Sequence, residues 1–261
     1  MSEPGEPEIV VLDDGAALSR EAADRIGAAL AAAVAARGAA HLALTGGSSP
    51  IATYRVLAGR ADIRWPAVHL WWADDRFVPP DHPDSNVAVV RDALLRADAE
   101  TVHGAAIPAA NVHSVPVLAG LQAGHDSERV AEVYADEILR HVPAPEGRPV
   151  FDVMLLGVGP DGHVMSVFPG SPALAADAPL ALGIPAPRHV GPHVPRVTLR
   201  ASAADDARAL LVVIPDAAKA AVAARILEGP RDPWTLPAQV ARRSGATWLL
   251  TREAAAALRG P

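Results

Sequence analysis

The sequence predicts an α/β protein with a Rossmann-like, three-layer fold, in which helices cover both faces of a mainly parallel sheet. Short runs of β-branched and leucine residues alternate with helix-like segments along the 261 residues. Some of these runs, such as residues 210–214, are entirely apolar, as expected of parallel strands covered on both sides. No fixed repeat or low-complexity linker divides the chain. We therefore expect a single domain over residues 1–261, with residues 1–7 flexible.

The first half of the chain contains three predicted strands, each followed by a helix. The strands are predicted at residues 8–12, 41–45 and 69–73, and the helices at residues 19–37, 50–57 and 85–96. Gly38 is expected to end the first helix, and Pro50 to begin the second, where a missing N–H costs no hydrogen bond. A long polar loop separates the third strand from its helix.

The second half continues the alternation. Strands are predicted at residues 151–156, 196–200, 209–214 and 246–250, and helices at residues 127–141, 216–227 and 253–258. In a parallel α/β sheet, ligands bind outside the carboxyl ends of the strands. The loops that follow the strands are therefore the places where a functional site is expected.

Composition excludes several classes of function. A net charge of −7 argues against a partner that is a nucleic acid or an anionic membrane. The absence of cysteine excludes disulfides, thiolate metal sites and cysteine nucleophiles, and it fits a reducing cytoplasm. The N-terminus does not read as a signal peptide, and no apolar stretch reaches the roughly 20 residues of a membrane span. We expect a cytoplasmic protein.

The first candidate loop reads LTGGSSP over residues 44–50. Gly46 and Gly47 allow backbone N–H groups to approach a ligand, and the N-terminus of the following helix favours an anion. Thr45 and Ser48 add hydroxyl groups. The loop lacks the lysine of a Walker loop and the spacing of a nucleophile elbow. It is either a phosphate-binding loop or an ordinary glycine-rich turn.

The second candidate loop places Asp74, Asp75 and Arg76 directly after the third strand. Charged side chains at such a position are costly unless they pair with each other or bind a ligand. Both interpretations remain open from the residues alone.

The third candidate loop, residues 155–170, contains a Gly-x-Gly-x-x-Gly pattern at Gly157, Gly159 and Gly162. A dinucleotide-binding fingerprint would open a helix, but the Pro169-Gly170 pair soon afterwards precludes a normal one.

We interpret the same loop as a glycine-framed support for Asp161 and His163. Histidine is the usual general base near neutral pH, and a neighbouring carboxylate can set its tautomer. His189 and His193 have helical metal-ligand spacing, but Gly191 and Pro192 lie between them, and we predict no metal site there.

Together, and in this order, the three loops resemble the 6-phosphogluconolactonase family, within the group that includes glucosamine-6-phosphate isomerases and deaminases. The matching segments are LTGGSSP at 44–50, DDRFVP at 74–79 with SN at 85–86, GVGPDGH at 157–163 with SVFPG at 166–170, RVT at 196–198 and KA at 219–220. Asp75 replaces the glutamate usual in the family, Phe77 a common tryptophan, and Val164-Met165 the commoner Thr-Ala. These differences keep every charge and the histidine.

The resemblance implies hydrolysis of a phosphorylated sugar lactone, with His163 activating water and Asp161 orienting the histidine. It also implies that the substrate phosphate is held by Thr45, Gly46, Gly47 and Ser48 together with Arg196 and Lys219. Asp74, Arg76 and Gly159 complete the implied set of substrate-binding residues. Arg76 would contact either the phosphate or the oxygens where charge develops. No metal or organic cofactor is needed for this chemistry. The expected partner is the small-molecule lactone alone, bound by a monomer or small homo-oligomer.

Two other functions fit a chain of this kind less well. The related aminosugar isomerases and deaminases carry a glutamate five residues after the histidine, where this chain has Phe168. A non-catalytic sugar-phosphate sensor would need a DNA-binding module, for which the single α/β domain and acidic N-terminus leave no room. Lactone hydrolysis is the function that the sequence favours.

Overall fold

A computed structural model describes residues 5–96 and 104–259. The strands are β1 (Glu8–Leu12), β2 (Ala40–Leu44), β3 (Val68–Trp72), β4 (Asp74–Arg76), β5 (Val112–His113), β6 (Val153–Gly157), β7 (Ala181–Ile184), β8 (Arg196–Leu199), β9 (Ala209–Ile214) and β10 (Ala246–Thr251). The helices are α1 (Gly15–Arg37), α2 (Ile51–Ala58), α3 (Asn86–Val90), α4 (Val117–Gln122), α5 (Ser127–His141), α6 (Ala203–Asp206) and α7 (Ala220–Glu228). Residues 1–4 of the segment predicted to be flexible lie outside the described residues.

The larger sheet has seven strands in the order β1-β10-β9-β6-β2-β3-β5, and every neighbouring pair is parallel. Its central strands β2, β6 and β9 are buried except for one terminal residue each of β6 and β9, which explains their nearly continuous apolar sequences. The prediction of an α/β protein built on a mainly parallel sheet is confirmed. Among the described residues, no helix is long and apolar enough to cross a membrane.

A second, antiparallel sheet of three strands, β4-β8-β7, stands beside the large one. The strand predicted at residues 196–200 exists as β8, but its place in the parallel series was wrong. The sequence did not predict β4, because its residues are Asp74, Asp75 and Arg76 and carry no apolar pattern. This small sheet brings Arg76 of β4 directly opposite Arg196 of β8.

Several predicted helix boundaries needed correction. The helix predicted at residues 253–258 is a series of turns, in which the Thr251 hydroxyl accepts a hydrogen bond from the Ala254 N–H at 3.1 Å. The helix predicted at residues 85–96 is α-helical only in α3 and continues as one π-helical turn, Arg91–Leu95. Helix α1 begins earlier than predicted because the Asp14 carboxylate caps it, accepting a hydrogen bond from the Ala17 N–H at 2.7 Å.

A group of histidines lies in the large sheet, two of them near the amino ends of β2 and β3. His41 and His69 are neighbours in register on β2 and β3, and their rings stack 5.0 Å apart. His69 Nδ1 lies 3.0 Å from Nε2 of His113 on β5, whose ring stacks on Trp71. Burial lowers the pKa of all three histidines. The pKa of His41 falls to about 4, because the neighbouring His69 lowers it further. The folded protein therefore keeps these imidazoles neutral at pH 7.

We expect the free energy of unfolding to decrease as the pH falls below 6.5. An unfolded chain takes up a proton at His41 near pH 6.5, whereas the folded chain does so only near pH 4. The unfolded state thus binds more protons in this window, and His41 alone removes at most about 3 kcal/mol of stability by pH 4. Urea denaturation between pH 7.5 and 4.5 measures the effect.

The matched variant is His41→Gln. Its side-chain oxygen can still accept the hydrogen bond that Trp71 Nε1 donates to His41 at 3.1 Å, but it cannot take up a proton. A smaller pH dependence is expected for this variant. An equal dependence in both proteins would contradict the assignment to His41.

Candidate active site

A cleft of about 340 Å³ opens at the carboxyl ends of the central strands. The three candidate loops meet there, as predicted from their positions after β2, β3 and β6. All predicted substrate-binding residues and the predicted base line the cleft: Thr45, Gly46, Gly47, Ser48, Asp74, Arg76, Gly159, His163, Arg196 and Lys219. Asp161 is not part of the lining and lies behind His163.

The glycine-rich loop after β2 is held from below by a buried tyrosine. The Tyr54 hydroxyl donates a hydrogen bond to the Thr45 carbonyl oxygen at 2.6 Å. The same hydroxyl accepts a hydrogen bond from the Thr45 N–H at 3.2 Å. Gly46 packs so closely on Asn86 that a Cβ atom would lie 1.7 Å from the amide oxygen. Gly47 has φ = 83°, in the left-handed region that favours glycine. Both glycines are therefore required by the shape of this loop.

Asp74 connects all three loops through its buried carboxylate. It accepts hydrogen bonds from the Ser166 hydroxyl at 2.6 Å, the Asn86 amide at 3.3 Å and the Thr45 hydroxyl at 3.4 Å. The side chain is almost fully buried, so these donors stabilise its charge in place of water. Asp74 thus positions the walls of the cleft that it lines.

Two arginines from the small sheet face each other across this cleft wall. Arg76 Nη1 donates to the Asp84 carbonyl at 2.7 Å, and Arg196 Nη2 donates to the Pro192 carbonyl at 2.9 Å. The Nε atom of each is buried and has no hydrogen-bond partner within the part of the chain that the structure describes. Burial lowers the pKa of Arg196. The negative charge of Asp74 opposes this decrease, and the positive charge of Arg76 adds to it. The two guanidinium groups bring positive charge to the cleft wall.

Lys219 adds a third cation at the start of α7. Its ammonium donates a hydrogen bond to the Ser49 hydroxyl at 2.8 Å and lies 3.6 Å from the Asp216 carboxylate. Burial lowers the pKa of Lys219, and Asp216 opposes this change. The side chain is only 16% exposed, so it is directed toward the glycine-rich loop and not into solvent.

His163 and Asp161 form a hydrogen-bonded pair. Nδ1 of His163 lies 2.5 Å from Oδ1 of Asp161. Burial alone would raise the pKa of Asp161. The hydrogen bond and charge of His163, together with a hydrogen bond from His189, outweigh burial and hold this pKa well below its usual range. An ionised carboxylate can only accept hydrogen bonds, so the neighbouring Nδ1 of His163 must carry the proton. In the neutral ring, Nε2 is then the hydrogen-bond acceptor.

Glycine at position 159 allows the His163 ring to take this position. A Cβ atom on Gly159 would lie 2.1 Å from Nδ1 of His163. After Gly162, the chain forms an isolated bridge between Val164 and Val167 and no helix, which agrees with rejection of the dinucleotide fingerprint.

His189 is a site residue that the sequence did not predict. Its Nε2 lies 2.8 Å from Oδ2 of Asp161, so one carboxylate contacts two imidazoles. The two residues are 28 positions apart and neither lies in a regular element. No spacing rule relates them, and only the fold brings them together.

Within residues 5–96 and 104–259, one group of three side chains has the arrangement of a metal site: His113, Glu137 and His141. It shares His113 with the histidine group in the sheet, its other two members lie on α5, and none of the three lines the cleft. Its polar atoms already have partners, because Glu137 contacts both imidazoles and the Arg140 guanidinium. Nothing in this arrangement requires an ion.

Comparison with known proteins identifies the family. The model of the family described as "Glucosamine-6-phosphate isomerases/6-phosphogluconolactonase" matches residues 13–249. The chain is 38% identical to a 6-phosphogluconolactonase of Mycobacterium tuberculosis over 96% of its own length and 98% of that protein's. It is 33% identical to one of Synechocystis, over 97% and 99%.

Solved structures agree with this result. The 6-phosphogluconolactonase from Trypanosoma cruzi superimposes with a TM-score of 0.82 at 26% identity, covering 99% of this chain and all of that one. A monomeric glucosamine-6-phosphate deaminase, at 19% identity and a TM-score of 0.75, shares the fold. The chain belongs to the glucosamine-6-phosphate isomerase/6-phosphogluconolactonase family.

Proposed function

We propose that the protein hydrolyses 6-phospho-D-glucono-1,5-lactone to 6-phosphogluconate, a step of the oxidative pentose phosphate pathway. The observation that carries this proposal is the presence, in one cleft, of a carboxylate-supported histidine and three cations. The histidine fits a general base, and Arg76, Arg196 and Lys219 fit a phosphate. Relatives that cover almost the whole chain are named for the same activity.

In the proposed mechanism, Nε2 of His163 accepts a proton from a water molecule as the water oxygen attacks the lactone carbonyl carbon. Asp161 stabilises the imidazolium that forms, because its carboxylate accepts the hydrogen bond that Nδ1–H donates, with Nδ1 and Oδ1 2.5 Å apart. The tetrahedral intermediate then breaks the bond to the ring oxygen. That oxygen takes the proton back from His163, which leaves a carboxylic acid and a hydroxyl group and restores the base.

The phosphate would bind where the glycine-rich loop, Arg196 and Lys219 converge. Thr45 and Ser48 would contribute hydroxyl groups, and Gly46 and Gly47 their backbone N–H groups. Arg76 and Arg196 line the cleft and would supply positive charge to an anionic ligand beside the small sheet. Arg76 fits either the phosphate or the oxygen that becomes negative in the intermediate.

The proposal requires no metal, since a base, a positioned carbonyl and hydrogen-bond donors suffice for lactone hydrolysis. We further propose that residues 1–261 act as one domain, in the cytoplasm, as a monomer or small homo-oligomer. The direct test follows acid release from freshly generated 6-phosphoglucono-δ-lactone against spontaneous hydrolysis, with and without prior chelation. A rate equal to the spontaneous one would refute the proposed activity, and loss of activity on chelation would refute its metal independence.

Glucosamine 6-phosphate should not be turned over. Phe168 packs against His163 with ring centroids 4.8 Å apart and is almost fully buried. An apolar ring at this position cannot move the protons that aminosugar isomerisation requires. We expect ammonia release at the background rate, measured with enzyme whose lactonase activity has been verified. Appreciable ammonia release would favour the isomerase/deaminase function instead.

A further inference from the structure

We infer that His189 is a positioning residue for the proposed lactonase reaction, because it holds the Asp161 carboxylate from the side opposite His163. The expected effect on the reaction rate rests on the proposed function. The structural role rests only on the contact between His189 and Asp161.

The carboxylate of Asp161 has a different imidazole on each oxygen. Oδ1 is 2.5 Å from Nδ1 of His163, and Oδ2 is 2.8 Å from Nε2 of His189. The His163 N–H also donates to Oδ1, at 3.2 Å. With both oxygens occupied, the carboxylate cannot rotate about its Cβ–Cγ bond without breaking one of these hydrogen bonds. Both are made to a charged acceptor and are therefore stronger than hydrogen bonds between neutral groups. Its plane, and with it the orientation of the His163 ring, is therefore fixed.

Phe168 completes this arrangement by separating the two imidazoles. Its ring packs against His163 at a centroid distance of 4.8 Å and meets the His189 ring edge-on at 5.6 Å. Phe168 is almost fully buried and presents an apolar ring to both histidines. The contact through Asp161 is thus the polar connection between them.

His189 also begins a segment that covers part of the cleft. Val190 and Gly191 follow it directly and line the cleft wall. The other end of this segment is held by Arg196, whose guanidinium donates to the Pro192 carbonyl at 2.9 Å. The segment 189–192 is therefore anchored to the catalytic pair at one end and to the proposed phosphate site at the other. Through His189, the position of the Asp161 carboxylate is therefore coupled to the position of segment 189–192.

The kinetic test compares His189→Ala with His189→Gln. We expect His189→Ala to lower kcat about tenfold with little change in KM, the loss typical of one hydrogen bond to a charged group. His189→Gln, whose amide can donate to Asp161, should recover most of that activity. His193→Ala is the matched control: His193 lies in the same loop, but its Nδ1 contacts the Pro187 carbonyl and not Asp161. Wild-type kinetics are expected for the control.

A double-mutant cycle separates positioning from a general effect on the loop. In an Asp161→Ala background, His189→Ala should cause no further loss, because the contact through which it acts is already gone. An undiminished loss in that background, wild-type activity of His189→Ala, or an equal loss in His193→Ala would each overturn the inference.

A measurement without substrate distinguishes failure of this inference from failure of the proposed function. Imidazole ¹⁵N NMR reports which ring nitrogen of His163 carries the proton. The Nδ1–H tautomer should dominate in the wild type and lose population in His189→Ala, whether or not the lactone is the substrate. Inactivity of the wild type toward the lactone, with this change intact, would refute only the proposed function. An unchanged tautomer in an active enzyme would refute the role of His189.

Discussion

Replacement of His163 by alanine is expected to lower kcat for the phosphorylated lactone by about 10²–10⁴-fold, the usual contribution of a positioned general base. KM should change little, because the phosphate-binding groups lie on other loops of the cleft. The expectation follows from the 2.5 Å contact with Asp161, which leaves Nε2 of His163 as the proton acceptor. Steady-state kinetics, corrected for spontaneous hydrolysis, measures the loss.

The control for this variant is His125→Ala, which removes an exposed imidazole in the turn between α4 and α5. It should retain wild-type kcat. Circular dichroism must show that His163→Ala is folded, which is expected because the ring is only partly buried. A folded His163→Ala protein with the wild-type rate would show that another group is the base.

Lys219→Arg is expected to raise KM for the phosphorylated lactone by about tenfold or more, with a smaller change in kcat. The ammonium is confined between the Ser49 hydroxyl and the Asp216 carboxylate, and the longer, planar guanidinium needs more room. The phosphate is remote from the reacting carbonyl, so its binding affects ground state and transition state alike. Preference over unphosphorylated glucono-δ-lactone should largely disappear.

Composition provides a further reason to expect this result. Lys219 is the only lysine beside 22 arginines, so a position that tolerated either residue would more often be arginine in this chain. Arg225→Lys, an exposed exchange on the same helix, is the matched control and should leave both constants unchanged. Unchanged KM and unchanged preference in Lys219→Arg would show that Lys219 does not bind the phosphate.

The parallel sheet was predictable because its strands are long enough to show an uninterrupted apolar pattern. Strands such as β9 are buried on both faces, and burial on both faces excludes polar residues. The short strands β5 and β7 were missed because two to four residues show no period. Pairing with neighbours, and not their own composition, makes them strands.

The candidate site was predictable to the extent that parallel topology brings loops together. The carboxyl ends of β2, β3 and β6 share one edge, so the loops that follow them had to meet. Arg196 was assigned only through the family resemblance, since an isolated basic residue has no signature of its own, and for Lys219 the composition of the chain added support. His189 was beyond reach, because its contact with Asp161 depends on the path of an irregular segment.

The opposition of Arg76 and Arg196 in the small sheet connects the stability of the protein to its ligand. Like charges directly opposite each other on neighbouring antiparallel strands destabilise the pair. An anion bound between them would remove that repulsion in the folded chain only, and mass action then lowers the unfolded fraction as the anion concentration rises. The reaction product carries the same phosphate as the substrate. Either molecule would therefore raise the free energy of unfolding once its concentration exceeds its dissociation constant.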